Sequence, residues 1–319
     1  MQIVSKDKLI YSYSPNHAPV ATVLPGEEFQ VETHERFSRG EGLRDIATTK
    51  QDKVTAVTGP IQVEGARPGT FLRVDVEKIE LTEDFGVILA IPGHGAFQDR
   101  IKTPSIKVVP FVKGTAQFSE SIQIPLHPHV GRLATAPASG TWPTAAPGPF
   151  GGNMDNTHIR EGSRVYLPVF VDGALLSLGD IHAAMGDGES NISGIETSGR
   201  VTLKCEIIEG LNITHPMVET AEEIMTTADA PTLDQAAEQA LEAMRTFLEE
   251  KVGLTFNDAC MLISVAANLR VCQIVNPTVG VKVILPKKVF PEGVFDFLGS
   301  WLAADTPRGA SDATPRPRR

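Results

Sequence analysis

Short apolar runs, each closed within a few residues by glycine or proline, set the first limit on what this chain can fold into. Its 319 residues include 28 glycines and 23 prolines. That punctuation suits many short strands and tight turns and leaves little room for long helices. Glu27 to Thr33 (EEFQVET) alternates as a half-buried strand does. In Thr58 to Leu81, Ile61 and Val63 alternate, Gly65 to Gly69 turns the chain, and Leu72, Val74 and Val76 alternate again. Pro68-Gly69 suits a type II turn, with proline setting φ and glycine supplying a positive φ. The whole segment reads as a hairpin, and a slip in phase before Ile79 predicts a bulge. Val201 to Ile208, Val271 to Val275 and Val279 to Leu285 read as further strands.

Helix is expected only from about Pro231. Thr232 with Gln235 forms a capping pattern, and Ala236, Ala240, Met244, Phe247 and Leu248 recur at helical spacing. Gly253 closes that helix. Thr255 with Asp258 caps a second helix from Phe256 to about Asn268, apolar on almost every side and so expected to be well buried. The fold class is mainly β, with sandwich- and barrel-like parts and a small α+β helical section near the C-terminus. An N-terminal β domain is expected over residues 1–137 and a β core over 138–304, with helices from about 231. The closing strands, 271–286, are expected to pack back on that core, and 305–319 to form a disordered tail.

Hydrophobic residues make up 41% of the chain and the net charge is −10. A core can form, and the acidic balance argues against nucleic acid or an anionic membrane as partner. Cys205, Cys260 and Cys272 are scattered and odd in number, which fits reduced thiols in a cytoplasmic protein rather than a disulfide framework or thiolate zinc site. The first residues (MQIVSKDKLIYSYS) lack the apolar core of a signal peptide. No window approaches the ~20 apolar residues of a spanning helix.

Gly151 to Glu196 concentrates the groups that carry chemistry: Asp155, Asp180, His182, Asp187, Glu189 and Glu196, set at the ends of apolar strand-like runs. Asp180 and His182 are two apart, so on an extended segment both face one side and converge. Oxygen and nitrogen donors together suit a divalent metal ion, zinc first, with iron or manganese as alternatives. Asp155, at the end of a Gly151-Gly152-Asn153 turn, completes the candidate set, although an aspartate there also bonds its own turn. Glu189 follows the Gly186-Asp187-Gly188 turn, which would aim its carboxylate back as a general base. Asp187 and Glu196 fit structural roles better. His94, His127, His129 and Glu32 are open candidates. His127 and His129 would share a face on an extended chain, and Glu32 lies on a strand. Asp–His–Glu clusters also occur as plain networks. No GxSxG elbow or activated cysteine favours a covalent nucleophile.

Several long segments together resemble the acetamidase/formamidase family of amide hydrolases. They are GPFGGNMD, LPVFVDGALLSLGDIHAAMGDGE, GIET, GPIQVEGARPGTFLRVDV, IPGHGAF and GLTFNDACMLISVAANLRVCQIVNP. The resemblance covers nearly the whole chain apart from the tail. It implies a β-rich fold and an enzyme that cleaves the C–N bond of a short aliphatic amide, of formamide or acetamide type, to carboxylate and ammonia. It also implies no nucleotide cofactor, and a homo-oligomer, here expected as a dimer. Asp155, Asp180, His182 and Glu189 match polar positions of the family motifs. Thr70 departs from the aspartate usual after Pro-Gly, and Ser190-Asn191-Ile192-Ser193 replaces a smaller, cysteine-containing run. That change bears on substrate preference. Two alternatives stay open: an amidohydrolase acting on a cyclic or larger amide, and a non-enzymatic cation-binding β protein.

Overall fold

The computed structural model describes residues 1–34 and 56–299. The C-terminal tail and Glu35 lie outside the described residues. Two large sheets face each other. The first has nine strands in the order Gln2–Val4, Glu28–Glu32, Gly199–Ile208, Phe71–Leu81, Ser163–Pro168, Met217–Glu219, Glu223–Ala230, Val279–Pro286 and Asn268–Gln273. The second runs from Gln123–Pro125 through Thr115–Gln117, Ser105–Val112, Phe85–Ala90, Glu196–Thr197, Leu176–His182 and His129–Ala134 to Gly151–Asn153 and Pro147–Gly148. Val57–Val63 branches from Leu176–His182. Stretches on either side of residue 137 contribute strands to both sheets. Mainly β structure with a small C-terminal helical section is what forms. Among the described residues the strand orders are open, and no barrel closes.

Strand alternation builds the layers. Leu72, Val74, Val165, Leu167, Val201 and Leu203 of the first sheet join Ile61, Val63, Val130, Leu133, Leu176 and Leu178 of the second in one buried core. The other face of the first sheet, including Phe71, Tyr166, Val281 and Val283, receives Ala236, Ala240, Met244 and Phe247 of helix α1 (Leu233–Phe247). The result is helices, sheet, sheet.

Local signals explain most boundaries. The Thr232 side chain accepts from the Gln235 amide and caps α1. The Thr255 side chain accepts from the Asp258 amide and caps α2 (Phe256–Ala266). Gly253, at φ 79°, takes the left-handed conformation that ends the helical run. Around residue 77 the first sheet pairs Thr202 with Lys78 but Leu203 with Val76, so Glu77 bulges out, where the apolar pattern slips.

Two expectations are corrected. Thr58 to Leu81 is not a hairpin. Val57–Val63 lies in the second sheet and Phe71–Leu81 in the first, so the turn at Pro68-Gly69 carries the chain between layers. Helix α2 is not buried. Only Ala259 is fully covered, while Phe256, Met261 and Val265 are 56%, 58% and 83% exposed. The helix packs Ala259, Leu262, Ile263 and Ala266 against the second core, while Phe256, Met261 and Val265, like Leu269 on the strand Asn268–Gln273 that follows, stay uncovered.

Candidate functional site

The site forms where two strands of the second sheet lose their alternation at the same point. On Leu176–His182, Leu176, Leu178 and Ile181 enter the core; on His129–Ala134, Val130 and Leu133 do. Each pattern skips two residues, Gly179-Asp180 and Gly131-Arg132. Strict alternation would put Asp180 and His182 on the side of Leu178, inside the apolar core. Asp180 adopts φ 63° instead, which turns both side chains out of that core. Gly131 makes this possible, because a Cβ there would lie 2.7 Å from Asp155 Oδ1 and 2.9 Å from Asp180 Oδ2. The two carboxylates therefore come together over a residue without a side chain. Asp155 and Glu189 also have positive φ, 46° and 37°. Backbone strain of this kind persists where the surroundings enforce it, and it clusters at functional sites.

Asp155, Asp180 and His182 each present a donor atom within 4.8 Å of the others, as do His182, Glu189 and Glu196. Such sets of oxygen and nitrogen donors can hold a divalent cation. Hydrogen bonds fix how His182 is presented. His129 Nδ1 lies 3.2 Å from the His127 carbonyl, which only accepts, so this nitrogen carries the proton. His129 Nε2 then accepts from His182 Nδ1 at 3.2 Å. His182 Nε2 is left facing Glu196 Oε1 at 3.3 Å and Asp180 Oδ2 at 3.7 Å. Burial, then neighbouring His182, lowers His129 to about 3, so it is neutral. Burial would lower His182 too, but Glu196 and Asp180 outweigh it and raise this imidazole to about 9. Burial and then the Asp180 charge raise Asp155. Burial and then Asp155 raise Glu189 well above the usual carboxylate range. Arg132, almost wholly buried, supplies the compensating charge 3.3 Å from Asp180.

A second network holds the loops in place. Lys282 has no exposure, yet it donates to Asp187 Oδ1 at 2.6 Å, Asn156 Oδ1 at 3.1 Å and Thr157 Oγ1 at 3.0 Å. It thus ties the residues after Asp155 to the turn before Glu189. Burial would raise Asp187, but Lys282 and Thr157 hold it below its ordinary value. The turn is also anchored to the first sheet: the Gly188 amide donates to the Cys272 carbonyl, and its own carbonyl accepts from the Ile274 amide. Above the carboxylates lies a cavity of about 260 Å³, walled by Arg132, Asn153, Asp180 and Glu189 with apolar Ile192 and Val275.

The structure brings Asp155, Asp180, His182 and Glu189 together. It adds Glu196, which sequence reasoning had set aside as structural. Glu196 stands directly opposite His182 in the ladder, a register that chain order does not reveal. His129 supports His182 while His127 is exposed, so those two do not act as a pair. His94 lines the cavity. Glu32 instead pairs with Arg200 on the first sheet. Gly151–Asn153 is a strand rather than a turn, and its first two glycines let neighbouring carbonyls approach. Arg132, Asn276 and Lys282 were not found from sequence. Each is remote in the chain from the central stretch, and only a lysine interrupting an apolar strand (VGVKVILP) hinted at one of them.

A family model described as the acetamidase/formamidase family matches residues 3–143 and 138–292. The chain is 29% identical over 265 residues to an acetamidase of Mycolicibacterium smegmatis, covering 62% of this chain and 65% of that protein. It is 26% identical over 257 residues to a formamidase of Methylophilus methylotrophus, covering 62% and 63%. The matches therefore span a little under two thirds of these relatives' lengths. A crystal structure of an acetamidase from Bacillus halodurans superposes with a TM-score of 0.86 at 37% identity, over 93% of this chain and 100% of the other.

The shifts set an expectation for protein stripped of cations. A raised histidine contributes stability below its ordinary value of 6.5, lost as pH rises through about 9. The raised carboxylates act in the same direction, because the folded state holds their protons more tightly than the unfolded chain does. The melting temperature of chelated protein should fall steadily between pH 6.5 and pH 9, and Gln in place of His182 should flatten that fall. A pH-independent melting temperature in chelated wild type would contradict it.

Proposed function

The chain belongs to the acetamidase/formamidase family, and on that premise we propose that it is an amidase. It hydrolyses the C–N bond of a short aliphatic amide, of formamide or acetamide type, to carboxylate and ammonia. The observation that carries this reading is the convergence of Asp155, Asp180, His182 and Glu189, with Asp180 and Glu189 lining a cavity. The site also fits a divalent cation, zinc first, held by Asp155, Asp180 and His182. Asp155 Oδ1 and Glu189 Oε2 are buried with no hydrogen-bond partner. The glycine beneath the two aspartates leaves their oxygens room to converge. His129 fixes the tautomer that presents His182 Nε2. When bound, such an ion supplies Lewis acidity and lowers the pKa of coordinated water.

The chain's own residues supply the proton transfers. Glu189, kept basic by burial and by Asp155, accepts a proton from the attacking water and returns it to the departing nitrogen. After burial, the nearby Asp155 carboxylate does most to raise the proton affinity of Glu189. Arg132 balances charge beside Asp180. The apolar side of the cavity, Ile192 and Val275, faces the acyl group.

Ammonia release from formamide and acetamide tests the reaction. Glu189→Gln should lower kcat by about 10²–10⁴-fold with an unchanged circular dichroism spectrum. Chelation should abolish turnover and added zinc restore it. Full activity after chelation would sink the cation assignment, and full activity in Glu189→Gln would sink the general-base role.

We also infer a homodimer. What supports it is the exposed apolar surface of α2, with Phe256, Met261 and Val265, together with exposed Leu269 on the last strand of the first sheet. Light scattering should give twice the 34.3 kDa chain mass, and Val265→Glu should shift it to the monomer. A monomeric wild type would overturn this. Among the described residues no helix is long and apolar enough to cross a membrane. The free cysteines fit a reducing compartment, and we place the protein in the cytoplasm, which cell fractionation would check.

A further inference from the structure

Arg132 and Asn153 stand directly opposite each other in the ladder between His129–Ala134 and Gly151–Asn153. Cross-strand partners share a face, with Cβ atoms about 5 Å apart. Both residues are buried, at 2% and 3% exposure, and both line the cavity above the carboxylates. Each keeps one buried polar atom without a hydrogen-bond partner: Arg132 Nε, a donor, and Asn153 Oδ1, an acceptor.

The orientation of Asn153 is forced by a chain of bonds that begins at a catalytic carboxylate. Asn276 places one end of its amide 2.7 Å from Asp155 Oδ2 and 2.9 Å from the Asn153 carbonyl. Both of those are acceptors, so that end is the Nδ2 donor. Asn276 Oδ1 must then accept, and it does so from Asn153 Nδ2 at 2.9 Å. The Asn153 oxygen is left over. An unmatched buried acceptor costs about 1–3 kcal/mol unless something donates to it.

A donor and an acceptor side by side on a cavity wall mirror a primary carboxamide, whose carbonyl accepts and whose NH2 donates. Building on the amidase reading, we propose that Arg132 and Asn153 form the carboxamide clamp. Arg132 Nε–H donates to the substrate carbonyl, and Asn153 Oδ1 accepts from the substrate N–H. Asn153 is thus the residue that selects an amide over an ester or over the carboxylate product. Neither alternative has an N–H to offer, and each would set an oxygen lone pair against Oδ1. The same repulsion favours departure of the product.

The test compares acetamide with methyl acetate on cation-loaded enzyme. Asn153→Ser should lower the amide-to-ester ratio of kcat/KM at least about tenfold, chiefly through KM for the amide, because an unpaired buried acceptor is what rejects the wrong substrate. Arg132→Lys keeps the charge beside Asp180 but removes Nε–H, and it should lower both substrates alike. An unchanged ratio in Asn153→Ser overturns the clamp and leaves the amidase reading standing. If wild type turns over no amide, that reading fails. The clamp is then judged by equilibrium binding of acetamide to wild type and Asn153→Ser, where equal or absent binding overturns it. Should Asn153→Ser fail to fold, competition in wild type decides. Acetamide should compete at least about tenfold more strongly than methyl acetate, and equal competition refutes the proposal.

Discussion

The left-handed turn at Asp180, set against Gly131 on the neighbouring strand, is the constraint from which the rest of the site follows. A β-sandwich offers its strands a dry inner face and an outer one, and alternation assigns each side chain to one of them. Leu176 and Leu178 commit their strand to the dry face at even positions, which would carry Asp180 and His182 inward. One residue at φ 63° reverses that assignment. The neighbouring strand slips in step, so Val130 still meets Ile181 and Leu133 still meets Leu178. The core stays continuous, and the polar pair emerges together on the site side. The cost of the strained backbone is of order 1–3 kcal/mol, offset by the packed layers on either side.

Electrostatics impose the next condition. Asp155, Asp180, Glu189 and Glu196 are all buried within reach of one another, an arrangement no folded chain tolerates without compensation. Arg132 and His182 supply part of it inside the site. Lys282 contributes from behind by holding Asp187 and the Asn156-Thr157 pair, and so keeps the two carboxylate-bearing loops in position without touching their carboxylates. Burial and neighbouring carboxylates raise the proton affinity of Asp155 and Glu189, and Glu196 and Asp180 raise that of His182, which marks the positive charge still lacking. A divalent ion fits that deficit in both sign and donor chemistry.

The amino-acid sequence made the β class, both helix caps, the Glu77 bulge and the closing strands legible, because each rests on local chemistry: a hydroxyl before a helix, a glycine at positive φ, a break in alternation. It also pointed to Asp180, His182, Asp155 and Glu189, which lie in one glycine-rich stretch. It did not reveal that Val57–Val63 and Phe71–Leu81 belong to different sheets, since a turn looks the same whether it stays within a layer or crosses between layers. The exposure of α2 was misjudged because an almost wholly apolar helix reads as buried from its residue types alone. Glu196, Arg132, Asn276 and Lys282 reach the site through register and layer contacts between distant segments. The slips at Gly131 and Asp180 leave core residues three apart on each strand, a spacing that acquires meaning only once the two strands are known to be neighbours.

Calorimetric titration of zinc into metal-free wild type and Gly131→Ala tests the central claim most directly. A single methyl at that position would lie within 3 Å of both aspartate carboxylates, while the rest of the chain is untouched. Zinc should bind wild type specifically and Gly131→Ala at least about tenfold more weakly, comparable to the loss of a supporting contact to a metal ligand, with the circular dichroism spectrum unchanged. Equal zinc affinity in the two proteins would contradict it.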